Sequence, residues 1–270
     1  MGTTRCRRTV PLASSTSHVM SASSPIPPRR SRTRAVAADT GALADLLGLQ
    51  PFFVPAPSEI ATALWEDREL LLENAWVTLQ EVLLGFAIAL LLGVLLAAAL
   101  HLSPVLRRAV YPLAVGSQTI PILVVAPVFV IWFGFGIGPK VAIVALICFF
   151  PIVVNTLDGL SSTSSQSRKL MRSLGASPAR TFTTAELPAA LPYLFSGAKI
   201  AVAVAVIGAV FGEWAGADSG LGHLILLDNA QVGNVDRLFA SVVLLSLMAV
   251  ALFALLALIE RLALPWRDGR

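Results

Sequence analysis

The sequence predicts an all-α integral membrane protein, a helical bundle of five transmembrane helices. Of its 270 residues, 56% are hydrophobic and 13% are charged, whereas soluble domains carry about 25% charged residues. A helix that rises about 1.5 Å per residue needs roughly 20 apolar residues to cross the hydrocarbon layer. Five runs fit a span, although the third is short and the fourth must tolerate Lys199: Val82–Leu100, Ala109–Pro139, Val141–Leu157, Leu187–Gly212 and Leu238–Ile259.

Basic residues alternate between the two sides of the predicted bundle. Because Lys and Arg mark the cytoplasmic side, the connection between the third and fourth spans and the C-terminus are expected inside, and the start of the first span, near Asn74, outside. Lys140 and Arg237 are the main basic residues of the outer loops. The inner positions are Arg107, Arg108, Arg168, Lys169, Arg172, Arg180, Arg261, Arg267 and Arg270.

The remaining organisation follows from composition. Residues 1–40 form an Arg- and Ser-rich tail that we expect to be disordered. Residues 41–73 are an interfacial segment broken by prolines, and residues 74–266 are the membrane domain. The formal charge of +4 arises because residues 1–38 carry seven arginines and no acid. The rest of the chain is slightly acidic, so nothing favours a nucleic-acid surface.

A polar loop of about residues 159–188 separates two apolar spans. Leu170 and Leu174 lie on one side of a short predicted helix, and Gly175 ends that helix because glycine adopts a left-handed conformation without steric cost. Ser177 is the expected N-cap of a second helix with Pro178 in its first position, and Pro188 is expected to end it. From these residues alone, a solvated connector and a docking element are equally compatible.

The spacing of Gly175, nine residues, then "AELP" resembles the EAA loop of permease subunits of bacterial ABC importers. The stretches "SLGASPARTFTTAELPAALPYLFSGAKIA" and "QTIPILVVAPVFVIWFGFGIGPKVAIVALICFFPIVVNTLDG" are similar to the nitrate, sulfonate, taurine, thiamine-precursor and riboflavin branch. The resemblance implies that the loop binds an ATPase subunit. The residues it assigns to this coupling loop are Leu170, Leu174, Gly175, Ala176, Ser177, Pro178, Glu186, Leu187 and Pro188.

The resemblance also implies an assembly in the plasma membrane. Two copies of the permease form the pathway, two cytoplasmic ATPases bind its loops, and an external binding protein delivers a small solute. The solute is a thiamine precursor, a riboflavin-like heterocycle, or a sulfonate, nitrate or taurine. ATP would bind the partner subunit, so no cofactor, metal or catalytic residue is expected on this chain.

Two departures from the family pattern leave alternatives open. The EAA triplet reads Lys169-Leu170-Met171, and the family's first membrane helix, expected before "PFFVPAPSEI", is missing. An ATP-independent secondary transporter or channel and a defective permease without its first span therefore remain alternatives.

Polar and kinking residues in the spans suggest a pathway. Gln118 and Thr119 adjoin Pro121 and Pro127, and a proline in a membrane helix frees carbonyl groups that cavity water can satisfy. Glu213 is a further candidate, because acids within membrane spans are often functional, although an interfacial position is favoured for Glu213, as it is for Glu81 and Asp158.

Overall fold

The computed structural model describes residues 55–117, 119, 121–231 and 234–265, and every regular element in this part of the chain is helical. The predictions for the N-terminal tail, the missing first span and Gln118 lie outside the described residues. The helices are α1 Pro57–Glu66, α2 Arg68–Leu102, α3 Pro104–Ser117, α4 Ile122–Phe133, α5 Ile137–Ser161, α6 Ser165–Ser173, α7 Pro178–Thr181, α8 Leu187–Gly216, α9 Leu221–Asn229 and α10 Val235–Ala263, with a π-helical turn at Phe182–Glu186 between α7 and α8.

Four helices in the described part of the chain are long and apolar enough to cross a membrane: α2, α5, the continuous helix Pro178–Gly216, and α10. They correspond to the first, third, fourth and fifth predicted spans. The start of α2 at Arg68 lies before the predicted start near Asn74. The bundle therefore has the predicted order of long helices.

The second predicted span, Ala109–Pro139, is not one helix. It divides into α3 and the apolar α4, which has 12 residues and is about 18 Å long, short of the roughly 30 Å hydrocarbon layer. Pro121 precedes α4 in an extended conformation. Because proline has no N–H and disfavours a helical residue before it, the break falls at this position.

The expectation that Pro188 ends the second helix of the coupling loop is wrong. The helix continues through Pro188 to Gly216, because one π-helical turn precedes it, in which the Leu187 N–H donates to the Phe182 carbonyl five residues earlier. A wider turn accommodates the missing N–H and the ring of a proline that would otherwise kink an α-helix. The second helix of the coupling loop and the fourth span are thus one continuous helix, Pro178–Gly216.

Helix α5 packs against both α2 and α8 through glycines at the crossings. A Cβ atom on Gly85 of α2 would lie 2.5 Å from Val144 Cβ, and one on Gly197 of α8 would lie 2.7 Å from both Asn155 Cβ and the Pro151 carbonyl oxygen. Small residues allow this approach of helix backbones, which drives helix association in a lipid environment. The core between these helices contains Ala89, Cys148, Ile152, Ala201 and Ala205.

The close approach at Gly197 predicts a strong effect of a larger side chain. We expect Gly197→Val to reduce the free energy of unfolding by about 1 to 3 kcal/mol, because the new side chain meets a backbone oxygen that cannot rotate away. The measurement is the midpoint of thermal unfolding in detergent. Gly138→Val is the matched control, since nothing lies within 4 Å of the Cβ position at Gly138; equal midpoints for both variants would contradict the prediction.

Candidate functional site

The first helix of the coupling loop, α6, exposes two leucines. The Ser164 hydroxyl caps its start by accepting a hydrogen bond from the Ser167 N–H at 3.0 Å. Leu170 and Leu174 are 61% and 74% exposed, and their four-residue spacing puts them on one face of the helix and the turn that ends it. The predicted apolar face is present, and no residue that the structure describes covers it.

The turn between α6 and α7 has the predicted backbone. Gly175 has φ +77°, and the Ala176 N–H donates to the Met171 carbonyl at 3.0 Å, the six-to-one bond of a glycine-terminated helix. The Ser177 side chain then caps α7 by accepting from the Arg180 N–H, and Pro178 occupies the first turn. Ser177 and Pro178 are exposed and Ala176 is half-buried.

Glu186 attaches the coupling loop to the bundle. Its carboxylate is buried and contacts His101 Nε2 at 2.8 Å and Arg168 Nε at 2.7 Å. His101 is at the end of α2, and Arg168 is in α6, so one carboxylate joins three parts of the chain. Leu187 is exposed and Pro188 half-buried immediately after it.

The predicted pathway residues do not form one cluster. Thr119 and Pro121 are exposed in the α3–α4 connection, and Pro127 is exposed within α4. The Thr119 hydroxyl donates to the Gly116 carbonyl. Glu213 lies elsewhere, at the end of α8, where it is 1% exposed.

Glu213 caps the N-terminus of α9, forming what we call the Glu213 network. Its carboxylate accepts from the Thr78 hydroxyl at 2.6 Å and from the His223 N–H at 3.0 Å. Two further bonds join α2 to the same turn: Asn74 Oδ1 accepts from the Gly220 N–H at 2.7 Å, and Thr78 Oγ1 accepts from the Leu221 N–H at 2.9 Å. A carboxylate at a helix N-terminus accepts hydrogen bonds from free N–H groups and is attracted by the positive end of the helix dipole.

Glu213 and Glu81, two of the acids expected at the membrane interface, are buried inside the bundle. Glu81 is fully buried, and its Oε1 accepts from Lys140 Nζ at 2.7 Å. Lys140, assigned to an outer loop by its position in the sequence, is likewise buried. Of the three acids expected at the interface, Asp158 is exposed.

Sequence reasoning also missed two ion pairs. The Nζ atom of Lys199, the charged residue of the fourth predicted span, lies 2.6 Å from Glu260 Oε2 of α10. Arg237 forms a two-point pair with Asp228. The sequence contained a signal for the Glu213 network, because Asn74, Thr78 and Glu81 recur at four and three residues and so lie on one face of α2. Within the described part of the chain, no group of three or more His, Cys, Asp or Glu residues is arranged to hold a metal.

Comparisons with known proteins agree with the fold. The solved structure of an inward-facing MetNI methionine ABC transporter superposes with a TM-score of 0.64 and 21% identity, covering 73% of this chain and 97% of that chain. This likeness concerns the fold. A four-span bundle with a short apolar helix therefore has a known counterpart.

Sequence relatives extend the agreement. The chain is 41% identical over 219 residues to the formylaminopyrimidine transport permease protein ThiX of Halalkalibacterium halodurans, covering 81% of this chain and 87% of the relative. It is 35% identical over 225 residues to the riboflavin transport system permease protein RibX of Chloroflexus aurantiacus, covering 82% and 83%. Residues 89–265 match the family described as the inner membrane component of binding-protein-dependent transport systems. The chain therefore belongs to this family of ABC transporter permeases, multi-pass proteins of the inner membrane.

Proposed function

We propose that this permease couples import to ATP hydrolysis through α6 and the turn at Gly175, which dock on a separate cytoplasmic ATPase subunit. The observation that carries the proposal is the exposure of Leu170 and Leu174. They lie in a segment with Arg168, Lys169 and Arg172, which is too basic to enter lipid. An apolar helix face exposed outside the membrane suits a protein groove.

Glu186 gives the docked loop a mechanical connection to the bundle. Its contacts with Arg168 and His101 link α6 to the end of α2, and the π-turn links α7 directly to α8. Movement of the ATPases during nucleotide binding would then displace the inner ends of two spans together, as a rigid-body transition requires.

The pathway lies between two copies of the chain in this proposal. Helices α3 and α4 expose an apolar surface that includes Leu123, Ile131 and Trp132, which a second copy or lipid would cover. We assign Thr119, Pro121 and Pro127 at this surface to the pathway, and we keep Gln118, which lies outside the described residues, as a pathway candidate from its sequence position alone. Glu213 is excluded from it because its oxygens are occupied by the α9 N-terminus.

The substrate we propose is a nitrogen heterocycle of the thiamine-precursor or riboflavin type, delivered by an external binding protein. The support is the identity of 41% and 35% to permeases named for formylaminopyrimidine and riboflavin, compared with 28% to the taurine permease TauC of Escherichia coli. A ligand-binding assay on the binding protein encoded beside this permease tests the assignment, and binding of taurine but no heterocycle would refute it.

A charge in the exposed apolar face tests the docking proposal. We expect Leu174→Asp to abolish co-purification with the ATPase encoded beside this permease and ATP-driven uptake, at unchanged membrane insertion, since a carboxylate is not buried against an apolar groove without a large cost. Ser173→Asp is the matched control, because it introduces the same charge next to Leu174 on an exposed residue whose side chain bonds within its own helix. Full uptake by Leu174→Asp, or uptake without any ATPase, would favour the ATP-independent transporter.

If Glu186 connects the coupling loop to the bundle, a substitution there should impair the coupling of ATP hydrolysis to uptake without impairing the binding of the ATPase. Glu186→Gln leaves His101 and Arg168 facing a neutral amide, and the lost charge-assisted contacts weaken the attachment of the loop by about 1 to 3 kcal/mol. We expect the ATPase to remain bound while uptake per ATP hydrolysed falls. Asp158→Asn removes an exposed acid from the same region and should change neither quantity; equal coupling in both variants would contradict the role given to Glu186.

Orientation is tested with single cysteines in a variant lacking Cys6 and Cys148. Glu69 in the first turn of α2 and Ser173 in α6 are both exposed, unlike the buried Asn74. An impermeant thiol reagent applied to intact cells should label Glu69→Cys, while Ser173→Cys should react only after permeabilisation. The opposite pattern would place the coupling loop outside and exclude an ATPase contact.

A further inference from the structure

Four elements bring ionisable groups together beside the α8–α9 connection. Glu81 of α2, Lys140 of α5 and Glu213 of α8 are 0%, 5% and 1% exposed, and His223 of α9 lies next to them. Polar groups at such low exposure are as a rule hydrogen-bonded, because leaving them without a partner is costly. Their donors and acceptors can therefore be counted.

Glu213 is surrounded by donors. The Thr78 hydroxyl and the His223 N–H donate to its two oxygens, and the Gly222 N–H contributes in the same way. A carboxylate accepts at both oxygens, whereas a protonated carboxyl group would direct its own O–H at one of these donors. Only glycine can occupy position 220, since Gly220 has φ +121° and a Cβ atom there would lie 2.2 Å from Glu213 Cδ. The arrangement suits ionised Glu213.

The carboxyl group of Glu81, unlike that of Glu213, has a hydrogen-bond donor, among the described residues, at only one of its oxygens. Its Oε1 accepts from Lys140, but its buried Oε2 receives no hydrogen bond from any residue that the structure describes. Glu213 is its neighbour: Thr78, which binds Glu213, lies one helical turn before Glu81 in α2, and Lys140, which binds Glu81, packs against Gly212, the residue before Glu213. Two ionised carboxylates offer each other no donor and repel, so a proton between them would convert the contact into a hydrogen bond.

The charges around the two acids do not balance if both are ionised. Lys140 supplies one positive charge. Burial lowers the pKa of His223, Asp218 opposes this shift and Lys140 adds to it, so the imidazole is neutral at pH 7. Helix α4 has no ionisable residue, and Asp228 and Arg237 neutralise each other. Among the residues that the structure describes, two carboxylates therefore face one cation at this site.

We propose that Glu81 and Glu213 bind a single proton between them, carried on Glu81. The site is then neutral with Lys140, and the proton completes the connection of α9 to α2 and α5. Removal of the proton places two negative charges side by side within the bundle and weakens that connection. The permease thus contains a proton-binding site that holds its α8–α9 turn in place.

Two amide variants distinguish this proposal from an ordinary ion pair. In Glu81→Gln the amide N–H₂ replaces the bound proton as donor to Glu213, and the amide oxygen still accepts from Lys140, so the unfolding midpoint at pH 7 should match the parent. In Glu213→Gln one amide oxygen replaces the two carboxylate oxygens that accept from the Thr78 hydroxyl and from the His223 N–H, so one of these donors loses its acceptor and the midpoint should fall. Equal loss in both variants would overturn the proposal.

Two measurements on the full-length protein in lipid nanodiscs test the proton directly. The infrared spectrum should contain a protonated-carboxyl C=O band that shifts in D₂O, disappears in Glu81→Gln and persists in Glu73→Gln, where an exposed acid of the same helix is changed. Because the folded state holds one more proton than the unfolded chain, stability should fall as pH rises above 7. Over the same pH range, the unfolding midpoint of Glu81→Gln should fall less than that of the parent. Both proteins contain Lys140, so its own titration does not account for the difference. Absence of the band in the parent, or identical pH slopes, would refute the site.

Discussion

The relative positions of the helices depend on how buried charges are neutralised. In an apolar bundle, an ionised side chain without a partner is costly, so each one restricts the element that must supply its counter-charge. Lys140 lies against Glu81 and close to Glu213, Lys199 contacts Glu260, and Glu186 contacts Arg168 and His101. Apolar packing alone would allow helices to slide or rotate, whereas these contacts specify their register. Removing one partner of such a buried pair leaves an uncompensated charge, which is strongly destabilising.

Glycines and prolines then adapt the backbone to this arrangement. Gly85 and Gly197 allow α5 to approach both neighbours, and Pro121 divides the second apolar run. Pro188 has the opposite outcome, because the π-turn before it absorbs the conflict and the helix continues. Proline therefore interrupts the helix at one position and is accommodated within a helix at the other, depending on the backbone conformation that precedes it.

The parts of the structure that follow local rules could be predicted from the sequence. Long apolar runs, the left-handed Gly175 and the Ser177 cap each depend on a few neighbouring residues. The partners of Glu81 and Glu186 could not be predicted, since Lys140 is 59 residues and His101 is 85 residues away along the chain and no local pattern pairs them. The burial of Glu213 was missed for a related reason: its position near a polar stretch suggested water, but that stretch folds back as α9 and covers it.

The π-turn makes one rod of the helix that begins at Pro178 and ends at Gly216. Glu186 and Glu213 lie 27 residues apart on it, about 40 Å along the axis. No flexible hinge loop separates the end that touches α6 from the end that caps α9. A tilt or rotation of this helix at its Glu186 end would therefore also displace its Glu213 end. One continuous helix thus connects the coupling loop to α9.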